Sequence, residues 1–264
     1  MQKNKKIILI FDLDGPIGHI NSTYPYNFGF STILKEKKNV SEILEILKFY
    51  KVSATFAITG FSAEKTVDAF ELKNEIKEIN RFGHEIASHS WKHENFSKLT
   101  LNQAHRSLAR SKKILSSNVV GFVPPHNRPM TWLSKGRFSL GDNRIFPFRK
   151  TGDISGIINI LRKEKFKWIR ISNNSIFKKI GFDKKITNVY KHKDVIVIDG
   201  HYCGFDEFII NKIVNSNNNY FCVSAHPLFL SYEKKIESKK YLVEFLDKLT
   251  NKNFSFILPK SLIK

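Results

Sequence analysis

Eight short apolar runs recur along this 264-residue chain, at residues 7–11, 54–58, 85–88, 119–123, 168–171, 195–198, 221–225 and 254–258. Each has the length of a strand rather than a helix. Helical patterns lie between several of them. Residues 41–50 carry Ile43, Leu44, Ile46 and Leu47 on one side, and residues 70–82 repeat the pattern. Thr100 and Gln103 form the signature of a capping box, opening a predicted helix that runs to about residue 115. Residues 154–163, 207–214 and 236–249 are the later predicted helices. Parallel strands need such crossovers, so the alternation predicts an α/β fold around a parallel sheet, open or closed into a barrel. No Gly/Ser/Pro-rich linker and no internal repeat divides the chain, and 41% hydrophobic content suffices for one core. The expectation is a single domain over residues 1–264. Residues 124–152 have little periodicity and many Pro, Gly and Arg. They are read as one long loop, and loops of that length tend to be functional.

Composition narrows the class further. No stretch approaches the ~20 apolar residues of a membrane span. The apolar run at residues 7–11 is too short for a secretory h-region, and Asp12 interrupts it. Cys203 and Cys222 offer no disulfide framework. These features lead to an expected cytoplasmic location. The net charge of +20 invites a nucleic-acid reading. However, the lysines are scattered and accompany abundant Asn, Ile and Phe, and the clusters at 35–38, 178–185 and 234–240 read as solvated surface. No nucleic-acid partner is expected.

Two strand exits carry the chemistry. The first run ends in Phe11-Asp12-Leu13-Asp14-Gly15-Pro16, and the third in Ser88-His89-Ser90-Trp91-Lys92-His93. Residues four apart share a face of a helical turn, so both imidazoles could hold one ion. Nine histidines in 264 residues give about 0.3 chance pairs at any one spacing, so the spacing needs its context. In a parallel sheet the strand ends converge on one side, and Asp12, Asp14, His89, His93, His126, His201 and His226 all fall at or just past such ends. Two histidines and a carboxylate with open positions suit a catalytic metal rather than a closed structural one. Hydrolysis then needs a base and an acid. The second aspartate is a candidate base and a later histidine a candidate acid.

These segments resemble the polysaccharide deacetylase superfamily. Phe11 to Pro16 is similar to its first motif in the Asp-x-Asp form, and Gly83 to His93 to its second. Phe122-Val-Pro-Pro-His-Asn127 is similar to the third, and Val223-Ser-Ala-His226-Pro227 to the last. The resemblance implies a distorted (β/α)7-type barrel and a metal-dependent hydrolase of non-peptide amide bonds. Its reaction would remove N-acetyl groups from a sugar or glycan by attack of metal-bound water. It implies Asp12 as base, His226 as acid, and Asp14, His89 and His93 as ligands of one divalent ion, most commonly Zn²⁺. Pro125, His126, Arg128 and His201 are the expected substrate-binding residues. The family's third motif usually begins with an arginine paired to the base; Val123 stands at that place, and Arg128 is the candidate substitute. The Asp-x-Asp form also occurs in branches acting on other amides. A small-molecule ureide or cyclic-amide hydrolase of the same fold is therefore the alternative, with a catalytically impaired carbohydrate-binding relative as the non-enzymatic one.

Other residues get plainer readings. His84 is expected to be a packed structural residue, His19 and His105 surface, Cys203 a buried thiol rather than a ligand, and Ser90 a turn-shaping hydroxyl. Trp91 and Trp132 are candidates for stacking on a sugar ring, with packing at least as good a reading. Asp199 and Asp206 are candidates to orient the acid histidine.

Overall fold

The computed structural model describes residues 5–22, 30–64, 71–127, 130–131, 138–140, 148–150, 152–171 and 187–263. Fourteen strands are described. They are β1 (Lys6–Leu13), β2 (Thr55–Ile58), β3 (Glu85–Ser88), β4 (Gly121–Phe122), β5 (Met130–Thr131), β6 (Phe138–Leu140), β7 (Phe148–Lys150), β8 (Gly152–Asp153), β9 (Trp168–Ile171), β10 (Asn188–His192), β11 (Val195–Asp199), β12 (Tyr202–Cys203), β13 (Tyr220–Ala225) and β14 (Ser255–Phe256). The described helices are α1 (Gly15–Ser22), α2 (Phe30–Phe49), α3 (Lys73–Arg81), α4 (Leu101–Leu115), α5 (Ile154–Lys163), α6 (Glu207–Asn215) and α7 (Lys239–Thr250).

The main sheet runs β10-β11-β9-β4-β3-β2-β1-β13-β12, with β14 added beside β1. All its pairings are parallel except β10 with β11. The sheet curls into a half-barrel, as expected for a distorted (β/α)7-type barrel. Both faces are covered, which is why β1 reads as an uninterrupted apolar run. Its side chains alternate between two cores. Ile7, Leu9, Phe11 and Leu13 join the large outer core beneath the helices. Ile8 and Ile10 face inward with Ala57, Ala87, Val123, Trp168, Ile198 and Cys222. The inner face is narrow: a methyl group on Gly121 would meet the Trp168 ring at 2.1 Å, so only glycine fits there. The Trp168 indole donates to Glu85 Oε1 at 2.8 Å, which closes the amino-terminal end of the barrel.

The predicted strands lie within a few residues of the observed ones, and Thr100 caps α4 in a complete capping box. Helix α2 starts eleven residues before the expected one. Residues 124–152 are not one loop: β5 pairs β8 in parallel and β6 pairs β7 antiparallel. Strands of two or three residues are too short to show any periodicity. Strand β10 was also not foreseen; it is an edge strand exposed at Asn188 and Lys191, without an alternating apolar pattern.

His84 is buried as expected. Its Nδ1 accepts the Ala54 N–H at 3.2 Å, so Nε2 carries the proton. Burial pushes its pKa down to about 4, against an ordinary 6.5. Below pH 6.5 the unfolded chain takes up this proton and the folded chain does not, so stability falls as pH drops through that window. At about 1.4 kcal/mol per pH unit the full loss is roughly 3 kcal/mol. Urea unfolding between pH 7 and 4 should therefore show a shallower acid slope for His84→Gln than for the parent. Parallel slopes would refute the account.

Candidate active site

Period-two geometry delivers the polar groups to one place. Asp12 follows Ile8 and Ile10 on the inner face of β1. His89 follows Ala87, Arg170 follows Trp168, and Ser224 and His226 follow Cys222. Register sets their levels. Asp12 pairs with Ala57 and Ala57 with Ala87, so Asp14 and His89 stand level two residues on. Phe11 pairs with Ala225, so Asp12 and His226 stand level.

Asp14 is fixed by its backbone: Thr59 Oγ1 donates to its carbonyl at 3.1 Å, and Gly15 takes φ +66° to begin α1. Residues 89–93 form a turn rather than a helical turn, because Ser90 and His93 have φ of 69° and 59°. The Glu94 N–H donates to Ser90 Oγ at 3.1 Å, and the Gly60 and Phe61 N–H groups bind the carbonyls of Ser90 and Trp91. The imidazoles converge all the same, with ring centroids 5.0 Å apart. His89 Nε2 lies 3.2 Å and His93 Nε2 3.1 Å from Asp14 Oδ1. Neither contact has hydrogen-bond alignment, and this buried oxygen has no hydrogen-bond partner. His89 Nδ1 donates to the Val123 carbonyl at 2.8 Å, which leaves its Nε2 lone pair facing Asp14. Zinc donors at about 2.0–2.1 Å in a tetrahedron lie about 3.3 Å from one another. Two oxygen–nitrogen spacings close to that, with all three donor atoms within 4.8 Å of one another and the oxygen otherwise orphaned, fit a divalent ion. Burial pushes the Asp14 pKa up, but His93 and His89 outweigh it and hold the carboxyl well below its usual range.

Asp12 and Arg170 form a buried bidentate pair, with Nη1–Oδ1 at 3.2 Å and Nη2–Oδ2 at 2.8 Å. Burial alone would raise the Asp12 pKa; Arg170, His89 and His226 reverse that, so the group is lowered and ionised at neutral pH. The expected substitute, Arg128, lies outside the described residues. The arginine observed on Asp12 is instead on β9. Phe122 pairs with Ile169, so Arg170 stands level with Val123, one strand away from the place where the family's arginine usually stands. A single charge inside the apolar run 168–171 was the available signal.

His226 follows β13. Its backbone N–H donates to Glu237 Oε2, and its Nδ1–H donates to the same oxygen at 3.0 Å, leaving Nε2 for chemistry. Burial disfavours the charged ring, but Cys203, Glu237 and Asp14 overcome it and raise its pKa well above the ordinary value. Glu237, not Asp199 or Asp206, holds this ring; Asp206 caps α6 through the Ile209 N–H. Glu237 was hidden in a lysine-rich run that reads as surface.

His126 sits in the turn after β4 with φ 64°. Its Nε2 is 3.1 Å from the His93 carbonyl and its ring 4.4 Å from that of His93. Burial and His93 lower its pKa to about 4, so it is neutral. Pro125 is buried in the same turn, and His201 is half-buried between β11 and β12. His19 is not on the surface: it is buried against Glu36 at 3.1 Å, and only the partly exposed His105 meets the surface expectation in part. Trp91 is buried with the Arg110 guanidinium 3.9 Å over its ring, so packing accounts for it. Trp132 lies outside the described residues.

A curled parallel sheet carries two histidines, two aspartates and a further histidine at its carboxyl ends, and known proteins resemble the chain that bears them. Residues 2–130 match the polysaccharide deacetylase family model. A peptidoglycan-N-acetylglucosamine deacetylase of Bacillus cereus is 32% identical over 88 residues, which is 33% of this chain and 30% of that protein. The aligned stretch spans less than a third of the length of the curated relatives. Among solved structures, a Mycobacterium smegmatis protein classed as a polysaccharide deacetylase matches with TM-score 0.65 at 16% identity, over 100% of this chain and 90% of that one. A family 4 acetyl xylan esterase from Clostridium thermocellum, in complex with a cobalt ion, matches with TM-score 0.52 at 15% identity, over 98% and 90%. The amino-terminal part of the chain is thus similar to the polysaccharide deacetylases, and the chain as a whole shares the fold of the solved structures.

Removing one partner of a buried ion pair leaves an uncompensated charge. Arg170→Met should destabilise the fold by about 3–5 kcal/mol in chemical denaturation at neutral pH. Adding Asp12→Asn to that variant should recover part of the loss. A single-variant loss under about 1 kcal/mol would contradict the pairing's energetic role.

Proposed function

We propose that this chain is a metal-dependent hydrolase of non-peptide C–N bonds that removes N-acetyl groups from a sugar or glycan. The observation that carries the reading is a pair of ionisable groups pushed apart by their surroundings: Asp12 is held ionised by Arg170, and His226 is held protonated with Glu237 behind it. Asp14, His89 and His93 would hold one divalent ion, for which zinc suits the mixed nitrogen and oxygen donors. When bound, that ion supplies Lewis-acid polarisation of the amide carbonyl and lowers the pKa of water at the site.

The protein's own groups do the rest. The Asp12 carboxylate takes a proton from the attacking water, and Arg170 fixes both its oxygens and its charge. The amide C–N bond breaks as His226 gives its Nε2 proton to the departing amine, yielding acetate and a free amino sugar. Glu237 keeps the Nδ1 proton in place, so the ring turns the correct nitrogen to the substrate. His126 and His201, on the turns after β4 and β11, would flank the sugar, with Pro125 shaping the first turn, and Arg128 is kept as a further candidate for binding it. The substrate class rests on the family match and on the names of the relatives. Residues 1–264 acting as one catalytic domain, and a cytoplasmic setting, belong to the same proposal; the two free cysteines support the latter. Among the described residues no helix is long and apolar enough to cross a membrane.

Acetate release from N-acetylated oligosaccharides, abolished by a chelator and restored by zinc, is the expected result. Turnover of cyclic amides or ureides in its place would favour the small-molecule alternative, and no turnover of either would favour a binding protein. Asp12→Asn should cut turnover by on the order of 10²-fold or more while elemental analysis still finds the metal. Asp14→Ala and His89→Ala should lose both. A metal content equal to the parent's in those two variants would overturn the ligand assignment.

A further inference from the structure

Cys203, His226 and Glu237 form a second constellation of donors, and the proposed reaction uses only two of its members. The donor atoms all lie within 4.8 Å of one another. Cys203 Sγ is 3.4 Å from Glu237 Oε1, and His226 Nδ1 is 3.0 Å from Glu237 Oε2. Zinc–sulfur and zinc–oxygen bonds of about 2.3 and 2.0 Å put a tetrahedral sulfur and oxygen about 3.5 Å apart, and a nitrogen and oxygen about 3.3 Å apart. The sulfur–oxygen and nitrogen–oxygen spacings are thus close to those of a ligand set, with hydrogen bonds in place of metal bonds. The sequence leads one to expect a buried thiol at Cys203; the residue as a whole is exposed, with its sulfur partly covered beside Glu237, so the cluster lies at the edge of the solvent. The elements differ from those of the first centre: Cys203 ends β12, His226 follows β13, and Glu237 precedes α7.

We propose that these three side chains form a second, inhibitory site for a soft or borderline divalent cation, of which zinc is the physiological example. Thiolate with imidazole and carboxylate selects such ions over magnesium or calcium. Binding forms bonds from the metal to Cys203 Sγ, His226 Nδ1 and a Glu237 oxygen. It releases to solvent the thiol proton and the proton shared between His226 and Glu237. The ring then keeps only its Nε2 proton and cannot become the imidazolium that protonates a departing amine. Excess of the ion the enzyme needs would thus silence it. The inhibition rests on the reading of His226 as proton donor, while the site itself does not.

Cobalt titration separates the two. Beyond the first equivalent, the parent protein should bind a second Co²⁺ and develop the near-ultraviolet thiolate-to-cobalt charge-transfer band, with no substrate present. Cys203→Ser should lose the second equivalent and the band but keep the first equivalent, whereas Cys222→Ser should keep both. Excess zinc should lower parent turnover by on the order of 10²-fold, and Cys203→Ser should lose far less relative to its own activity without excess zinc. No band in the folded parent, or a band that survives Cys203→Ser, would overturn the site. A band without inhibition would overturn the regulatory role, and a band in a protein with no deacetylase activity would support the site while refuting the proposed function.

Discussion

The inner face of the half-barrel runs out of apolar side chains at its carboxyl end, and each polar group of the site stands where the next apolar one would be. Ile8 and Ile10 give way to Asp12, Ala87 to His89, Trp168 to Arg170. The strand period of two thus does more than build a core. A shift of one residue in any of these strands would send its polar group into the outer core beneath the helices. The tight fit of Trp168 against Gly121 and the indole bond to Glu85 hold the register at the opposite end.

Charges at this depth are stable only in balanced sets. Asp12 meets Arg170, Asp14 meets two imidazoles, His226 meets Glu237, and His19 meets Glu36. The low local dielectric that makes each lone charge costly also strengthens each pair. The one buried carboxylate oxygen of the centre without a hydrogen bond, Asp14 Oδ1, is the one that two nitrogens approach.

Much of this was legible in the sequence, because the strand–helix alternation and the residues clustered at strand exits are local patterns. Asp12, Asp14, His89 and His93 lie beside the apolar runs that position them. Arg170 was not legible: its partner is 158 residues away, and only the oddity of one charge in a buried strand hinted at it. Glu237 was masked by neighbouring lysines, since a linear reading cannot tell a buried acid from a solvated run. His19 looked like surface because its partner comes from another helix. The turn at residues 89–93 reached the expected convergence by left-handed backbone at Ser90 and His93, which spacing alone does not reveal.

Glu237 sits immediately before Ser238, the residue that opens α7, and α7 is tied to α2 by the Lys239–Glu42 ion pair. The orientation of the His226 ring therefore depends on how the closing helix is seated, well outside the pocket. With His226 in its proposed role as acid, lesions that loosen that helix should first displace the alkaline limb of the turnover profile, before the protein melts at a lower temperature. Helix α7, through the residue just ahead of it, here acts as a set-screw on a ring at the barrel mouth.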